Sequence, residues 1–295
     1  MKTVNGNTGL YAILGNPIKH SMSTVIHNRS FERNGLDKVF LALKADLTDF
    51  DRVFPVLQGF GFEGFVFTMP NKEIAVKYMD ELSPEAKIIG AINCAKNNDG
   101  KWYGYNTDSI GVWNSIDEAN TSHMLVKHAF VLGCGGLSRA AIAQFALHGV
   151  KKITVANKLS DVSFVEDYKI FWERLHKELP DVKLELLDWK PEEWRPYLAT
   201  ADVVANGTPN GMKDVGDLHE IFPFDAVRKD TIFFDAIYIP RVTKFLKQAS
   251  SLGHITVEGV NLLVHQGVVS FKIWTGIDVK PSVMKKDILD FWNGR

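Results

Sequence analysis

Phe130-Val131-Leu132-Gly133-Cys134-Gly135-Gly136-Leu137-Ser138-Arg139-Ala140-Ala141 joins a short apolar run to a glycine turn, and the turn to an Ala-rich helical pattern. The pattern predicts strand, tight turn, helix. Gly133 can turn the chain where a side chain would clash, and Gly135 lets backbone approach a pyrophosphate. From Gly136 and Leu137 onward a helix would offer free N–H groups and the positive end of its dipole to the anion. Ser138, still small, stands where a third glycine is usual. A G-x-G-G turn alone is a weak signal, since many are plain turns. Here a second β-rich run, 152–157, follows the helix and Gly149. That completes a βαβ unit, the setting in which such a turn holds a dinucleotide.

The end of that second strand bears on cofactor choice. An acidic group there accepts from the adenosine ribose 2′-OH, whereas a basic one suits a 2′-phosphate. After Asn157 the chain offers both, Lys158 first and Asp161 three residues on. Lysine grips phosphate less specifically than a guanidinium does, and Asp161 would repel it. The reading leans to NAD, with NADP open. Asn206-Gly207-Thr208, in the strand and loop of 201–212, should pass over the cofactor.

A second group of polar residues precedes the glycine turn. Ser21, Thr68 and Lys72 fall just beyond runs that read as strands, where ligands bind in parallel sheets. Each has an ordinary reading beside the functional one. Ser23 suits the N-cap of a helix running to Asn34 and stopping at Gly35, or Ser21 and Ser23 together hold a small carboxylate. Lys72 is either solvated surface or a rim residue. Asp108 either caps a helix starting near Ser109 or converges with Asn93 and Asn106 from the ends of neighbouring hairpin strands. Gln266, on a helix from 260 to about 274, is either packing or a ligand contact.

The elements that must hold these residues alternate strand and helix, which predicts an α/β fold with parallel sheets. The first half reads as strands at 10–14, 39–43 and 63–68 and a helix at 50–57. Pro70 suits a first helical turn, and Ser83-Pro84 starts another short helix. A strand over 89–95 leads through the turn Asn97-Asn98-Asp99-Gly100 to a hairpin partner at 101–105. Beyond the nucleotide motif come a helix at 162–178, a strand at 182–187, a helix near 191–198 and a strand at 231–235. A helix at 241–252, a strand at 255–259 and two final helices, the last over 281–293, complete the chain. Those two helices are surplus to a nucleotide fold and are expected to pack on the first domain. The expected architecture is therefore two α/β domains around a cleft. A discontinuous first domain covers 1–107 plus 263–295, and a Rossmann-type domain covers 108–262.

Composition narrows the class. The chain has 295 residues, 45% hydrophobic and 23% charged, with a formal net charge of −1. That balance gives no hint of a nucleic-acid or membrane partner. The two cysteines, Cys94 and Cys134, point to a reducing cytoplasm rather than a disulfide framework. No Cys/His cluster has metal-ligand spacing, and the first residues lack the apolar core of a signal peptide.

The motifs in order resemble the shikimate/quinate dehydrogenases over essentially the whole length. They stand here as Gly15-Asn16-Pro17-Ile18-Lys19-His20-Ser21-Met22-Ser23 with His27-Asn28, Thr68-Met69-Pro70-Asn71-Lys72 and Gly90-Ala91-Ile92-Asn93. Asn106-Thr107-Asp108, the Gly133 turn, Asn206-Gly207-Thr208 with Gly211-Met212, Asp235 with Tyr238 and Pro240, and Gln266-Gly267 continue the series. Met69-Pro70-Asn71-Lys72 with Asp80-Glu81-Leu82-Ser83-Pro84 is most similar to the branch that takes both quinate and shikimate. The resemblance implies reversible oxidation of shikimate or quinate to the 3-dehydro ketone with NAD or NADP. It implies Lys72 and Asp108 as the catalytic pair, Ser21 and Ser23 on the substrate carboxylate, and Thr68, Asn93 and Gln266 on ring hydroxyls. Asn206, Gly207, Thr208, Tyr238 and Gly259 fall with the glycine turn on the cofactor side. A homodimer is a further expectation from the family.

The proton chemistry carries one tension. A lysine with its usual pKa of about 10.4 is a good acid but mostly unavailable as a base at neutral pH. Burial lowers such a pKa and a neighbouring carboxylate raises it, so a Lys–Asp pair is expected to share the proton work. Three departures leave substrate preference open. Val66 stands where the shikimate-specific branch carries an Asn, Phe40 where the dual-substrate branch carries a Tyr, and Thr24 where Pro is usual. A family member acting on another cyclic polyol acid, or a quinate/shikimate-binding regulator without turnover, are the competing expectations. Retention of both Lys72 and Asp108 speaks against the regulator.

Overall fold

The computed structural model describes residues 4–19, 21–213 and 215–294, so His20 of the first motif lies outside the described residues. The chain divides into two compact units. One holds 1–107 with 264–295, and the other 108–263.

The first unit is built from β1 (Gly9–Gly15), α1 (Ser23–Arg33), β2 (Lys38–Lys44), α2 (Leu47–Gly59), β3 (Phe62–Phe67), β4 (Glu81–Leu82), α3 (Pro84–Ile89), β5 (Cys94–Asn98) and β6 (Lys101–Tyr105). The sheet order is β2-β1-β3-β5-β6-β4. β1 runs parallel to β2 and β3, but β5 is antiparallel to both β3 and β6. The sheet is thus mixed rather than parallel, because β5 and β6 are joined by a tight hairpin instead of a crossover helix. Asp99 and Gly100 form that turn with φ of 52° and 89°, the left-handed pair a two-residue hairpin needs.

Strand alternation sends β1 side chains to two cores. Ala12 and Leu14 join Phe50, Phe54, Phe65, Phe67 and Trp102. Tyr11 turns the other way, its ring 5.2 Å from Phe31 and 5.0 Å from Trp274.

Two local expectations give way. Ile89 to Ala95 is not one strand. The Ser83-Pro84 start carries α3 through buried Ala86 and Ile89, and Gly90 ends it at φ 74°. Pro70 does not open an α-helix. Asn71 N–H bonds back to Thr68 O and Asn16 N–H to Met69 O, so 68–73 stays a turn ahead of a 3₁₀ segment, Ile74–Tyr78.

The second unit receives the chain through α4 (Thr107–Ala119). It continues through β7 (His128–Leu132), α5 (Gly136–Leu147), β8 (Lys152–Ala156), α6 (Val162–Glu178), β9 (Lys183–Leu187), α7 (Pro191–Leu198), β10 (Val203–Asn206), β11 (Ile232–Asp235), α8 (Lys244–Ser251) and β12 (Ile255–Val257). All its strand pairs are parallel, in the order β12-β11-β10-β7-β8-β9. This is the Rossmann-type order, with the direction of winding reversing between β7 and β10. Buried Phe130, Leu132, Trp194, Val204, Phe233 and Phe245 form one face of its core.

The chain leaves through α9 (Gly259–Thr275) and ends in α10 (Pro281–Asn293). Asp287 on α10 accepts from Arg33 Nη2 at 2.9 Å, and its carbonyl accepts from Arg29 Nη1 at 2.9 Å, which fastens α10 to α1. A Cβ on Gly267 would lie 2.6 Å from Ile26 Cδ1, so glycine there lets α9 approach α1. Among the described residues no helix is long and apolar enough to cross a membrane. Among them, too, no group of three His, Cys, Asp or Glu could hold a metal ion.

Candidate functional site

In the first unit, backbone bonds gather the polar residues at one rim of the sheet. Thr68 follows β3, and its N–H bonds Leu14 O at the end of β1. Phe67 N–H bonds Asn93 O, and Ile92 N–H bonds Lys72 O at 2.9 Å, which ties the lysine turn to the stretch before β5. Gly15 is obligatory here, because a Cβ would lie 2.2 Å from Thr68 Cγ2 and 2.9 Å from Met69 O. Asn71 is fully buried and donates to Ala45 O at 2.9 Å, clamping the same turn to the end of β2.

Asn93 is 1% exposed and its amide is oriented by Thr107. Its Oδ1 accepts from Thr107 N at 2.6 Å while its Nδ2 donates to Thr107 Oγ1 at 2.9 Å. One Nδ2 hydrogen is left for another acceptor. Thr107 Oγ1 also meets Ser270 Oγ at 3.0 Å, and Ser270 donates to the Gln266 carbonyl one turn earlier on α9. Ser270 thereby links the Gln266 backbone to the Asn93–Thr107 pair, and Gln266 itself is buried. Asp108 follows Thr107 in the first turn of α4, half-buried. Asn106 serves as a brace, donating to Ala91 O at 3.0 Å.

The serines differ from the capping expectation. Met22 occupies the N-cap position, and Ser23 is already the first helical residue, without a capping bond from its hydroxyl. Ser21 Oγ instead accepts from Ser23 N–H at 3.3 Å. The reason is the turn closed by Ser21 N–H and Ile18 O, which leads into Met22 at helical φ and ψ and starts α1 early. Ser23 is buried and Ser21 half-buried.

Of the three departures, Val66 is 4% exposed on β3, between Ile13 and Cys94 in the sheet. Phe40, at 1% exposure, packs its ring 4.7 Å from His27 and 5.8 Å from Trp274, so it belongs to the aromatic core rather than the rim. Thr24 donates to Ser21 O and supports the start of α1. His27 was expected only as part of a motif. It is wholly buried with neither ring nitrogen hydrogen-bonded, and burial lowers its pKa to about 3.

In the second unit a cavity of about 380 Å³ opens at the switch point. Gly133, Cys134, Gly135, Asn157, Lys158 and Asp161 line one side, and Gly207 and Thr208 the other. Gly133 has φ 92°, and a Cβ there would meet Thr208 Cγ2 at 2.8 Å. Gly135 precedes α5 with only Phe164, at 3.7 Å, near where its Cβ would be, so its backbone faces open space. Gly136 and Leu137 form the first turn of α5. Ser138 replaces the third glycine as a fully buried residue, donating to Leu132 O at 3.3 Å. Cys134 N–H donates to Asn157 Oδ1 at 3.3 Å, and burial pushes the Cys134 thiol up to about 11. Lys158 and Asp161 are both exposed, and Asp161 makes no capping bond to its own helix, α6.

Asn206 is buried beneath the opposite wall. Its Oδ1 accepts from Thr208 N at 2.9 Å and Thr208 Oγ1 at 2.7 Å. Gly259 is a packing residue, since a Cβ would fall 2.4 Å from Ala236 O. Neither Gly259 nor Tyr238 lines the cavity. Burial raises the Tyr238 pKa.

Sequence reasoning missed Phe164, Trp189 and Val215 in the lining, whereas Pro209 and Asn210 belong to the 201–212 loop expected over the cofactor. Trp189 carried a signal, because it lies two residues past β9, at the carboxyl edge where ligands bind. Asp235, present only within a motif, proves wholly buried, and burial pushes its carboxyl up to about 6 against the hydrogen bonds it accepts.

Comparison with known proteins fits both units. Residues 13–95 match the family model for the shikimate dehydrogenase substrate binding domain, and 259–289 the model for the shikimate 5'-dehydrogenase C-terminal domain. The shikimate dehydrogenase (NADP(+)) of Methanococcus maripaludis is 34% identical over 97% of this chain and 99% of its own. The structure of shikimate 5-dehydrogenase from Listeria monocytogenes in complex with shikimate and NAD is 31% identical, with a TM-score of 0.90 over 98% of this chain and 99% of that one. Quinate dehydrogenase from Corynebacterium glutamicum in complex with NAD is 25% identical, with a TM-score of 0.85 over 96% and 99%. With that identity over nearly its whole length, the chain belongs to the shikimate dehydrogenase family.

Proposed function

We propose that this chain is an NAD(P)-dependent dehydrogenase that oxidises shikimate, quinate or both at the ring alcohol and runs the reduction in reverse. The observation that carries the reading is the rim of the first unit. There Thr68, Lys72 and Asn93 are tied by successive backbone bonds to one sheet edge, in a chain of this family. The cofactor fits the second unit by its cradle: the Gly133 and Gly135 backbone opens onto a cavity with Lys158 and Asp161 at its margin. When bound, the dinucleotide supplies the acceptor for the hydride lost from the alcohol carbon.

The chain's own residues do the rest. Lys72 donates or accepts the alcohol proton, and Asp108 shares that proton work. Asn93 presents its remaining amide hydrogen to a ring hydroxyl, and Thr68 and Gln266 contact others. Ser21 and Ser23, beside the N-terminus of α1, take the carboxylate. Asp161 favours NAD over NADP by charge, against Lys158. Val66 offers no polar contact to a ring hydroxyl, which favours a site tolerant of both acids.

Initial rates with shikimate and quinate, each with NAD and NADP, test the reading. Turnover of both acids, faster with NAD, is the expected result. Turnover of shikimate alone with NADP would reassign the cofactor site to Lys158. Absence of turnover with tight binding of either acid would make the chain a sensor.

A further inference from the structure

The wall of the nucleotide cavity formed by 207–210 has few backbone bonds of its own. Gly207 N–H reaches Leu132 O and Pro209 O accepts from Met212 N–H, while the wall's remaining bonds converge on Asn206, directly or through Thr208 Oγ1. Asn206 takes Thr208 N–H and Oγ1 on its Oδ1, and Thr208 Oγ1 in turn accepts from Asn210 N at 3.2 Å and Nδ2 at 3.1 Å. Asn206 Nδ2 closes the loop by donating to Asn210 O at 3.3 Å. This works only if the amide keeps its oxygen toward Thr208. A primary amide flips at little intrinsic cost, so something must fix its sense.

Asp235, at the end of β11, supplies that constraint. Its Oδ1 accepts from Asn206 Nδ2 at 3.0 Å and from Ile237 N at 3.1 Å, and its Oδ2 accepts from Thr243 Oγ1 at 2.6 Å. All three partners present hydrogens. A flipped Asn206 would point an amide oxygen at a buried carboxylate and lose the bonds to Thr208. We propose that Asp235 is a positioning residue for the dinucleotide, acting through Asn206 to hold the 207–210 wall in its binding shape. The inference rests on reading this cavity as the dinucleotide site.

Four variants separate positioning from general support. Asp235→Ala removes the acceptor. Asp235→Ser also cannot reach Asn206, yet retains a local acceptor for Ile237 N–H, and serves if the alanine variant does not fold. Thr243→Val removes the Oδ2 partner and the cap of α8, where Thr243 accepts from Leu246 N, but leaves Asn206 held. Binding of NAD and NADP is measured by calorimetry, with Tm alongside. The expected result is about ten-fold weaker dinucleotide binding in Asp235→Ala or Asp235→Ser, the cost of a misdirected buried amide. Shikimate KM should hold. Thr243→Val should lower Tm while keeping dinucleotide affinity within about two-fold, and Asp235→Asn, which retains an acceptor oxygen, should restore most of the affinity. Unchanged affinity in the folded Ala or Ser variant overturns the inference, as does an equal loss in Thr243→Val. Wild-type protein that binds neither dinucleotide overturns the cavity reading and this inference with it.

Discussion

Lys72 is held by its backbone, with its carbonyl bonded to Ile92 N–H, so its removal should change chemistry more than shape. Lys72→Ala is expected to lower kcat for shikimate oxidation by about a hundred- to ten-thousand-fold, the usual contribution of a positioned proton donor or acceptor. Dinucleotide affinity should not move, because the cradle lies in the other unit. Steady-state rates with a dinucleotide titration check both, and near-normal kcat would take Lys72 out of the reaction. At the cofactor margin, Asp161 and Lys158 oppose one another. Both are exposed and screened, so each should count for roughly 1 kcal/mol. Asp161→Asn is expected to raise the NADP-to-NAD ratio of kcat/KM by about five-fold and Lys158→Ala to lower it by a similar factor. Ratios that stay fixed in both variants would mean that neither side chain reaches the ribose.

Close approach between elements sets the shape of the nucleotide turn. A Cβ on Gly207 would lie 2.2 Å from Ser138 Oγ and 3.1 Å from Ser138 N, so the loop after β10 presses directly on α5. Gly207→Ala is expected to destabilise the protein by about 1–3 kcal/mol through overpacking, and to weaken NAD binding as the wall shifts. Ser138→Gly in the same chain should return part of that stability by removing the hydroxyl. A urea double-mutant cycle measures the coupling, and strict additivity would refute the contact. This is also the scale at which the sequence was most and least legible. The Asp99-Gly100 hairpin, the bounds of α10 and the βαβ unit around Gly133 follow from turn chemistry and periodicity, which are local. Ile89 to Ala95 was misread because an apolar run suits strand or helix equally, and only the αL conformation of Gly90 settles where α3 ends. The capping alternative for Ser23 gives way for a similar reason, as the helix start depends on a turn formed upstream. Asp235 and Asn71 were invisible as site supports. Their partners, Asn206 and Ala45, lie 29 and 26 residues away, and no spacing rule links them.

Across the molecule, buried titratable groups set how stability responds to pH. His27 is enclosed by Phe40 and Trp274 and titrates at about 3, and His128, between Thr200 and Thr154, at about 4. Burial lowers His148 and His254 as well. In the unfolded chain these imidazoles take up protons below their ordinary value of about 6.5. The unfolded state therefore binds more protons, and their contribution is fully present above that value and lost as pH falls. Asp235 works in the opposite sense. With its carboxyl up at about 6, the folded state holds the extra proton, so its contribution is present in acid and lost as pH rises through that value. The two histidines with the lowest values outnumber the one carboxylate, so stability should rise between pH 4.5 and 7. His27→Leu isolates one term. It removes a group with unpaired ring nitrogens from an aromatic cluster and eliminates its proton linkage. The slope of unfolding free energy against pH should fall by about 1.4 kcal/mol per pH unit across the His27 window, one proton's worth. Urea unfolding at several pH values between 4.5 and 7 reads that slope directly. Parallel curves for wild type and variant would mean that His27 is protonated equally in both states, and that its burial in the aromatic cluster does not keep it neutral.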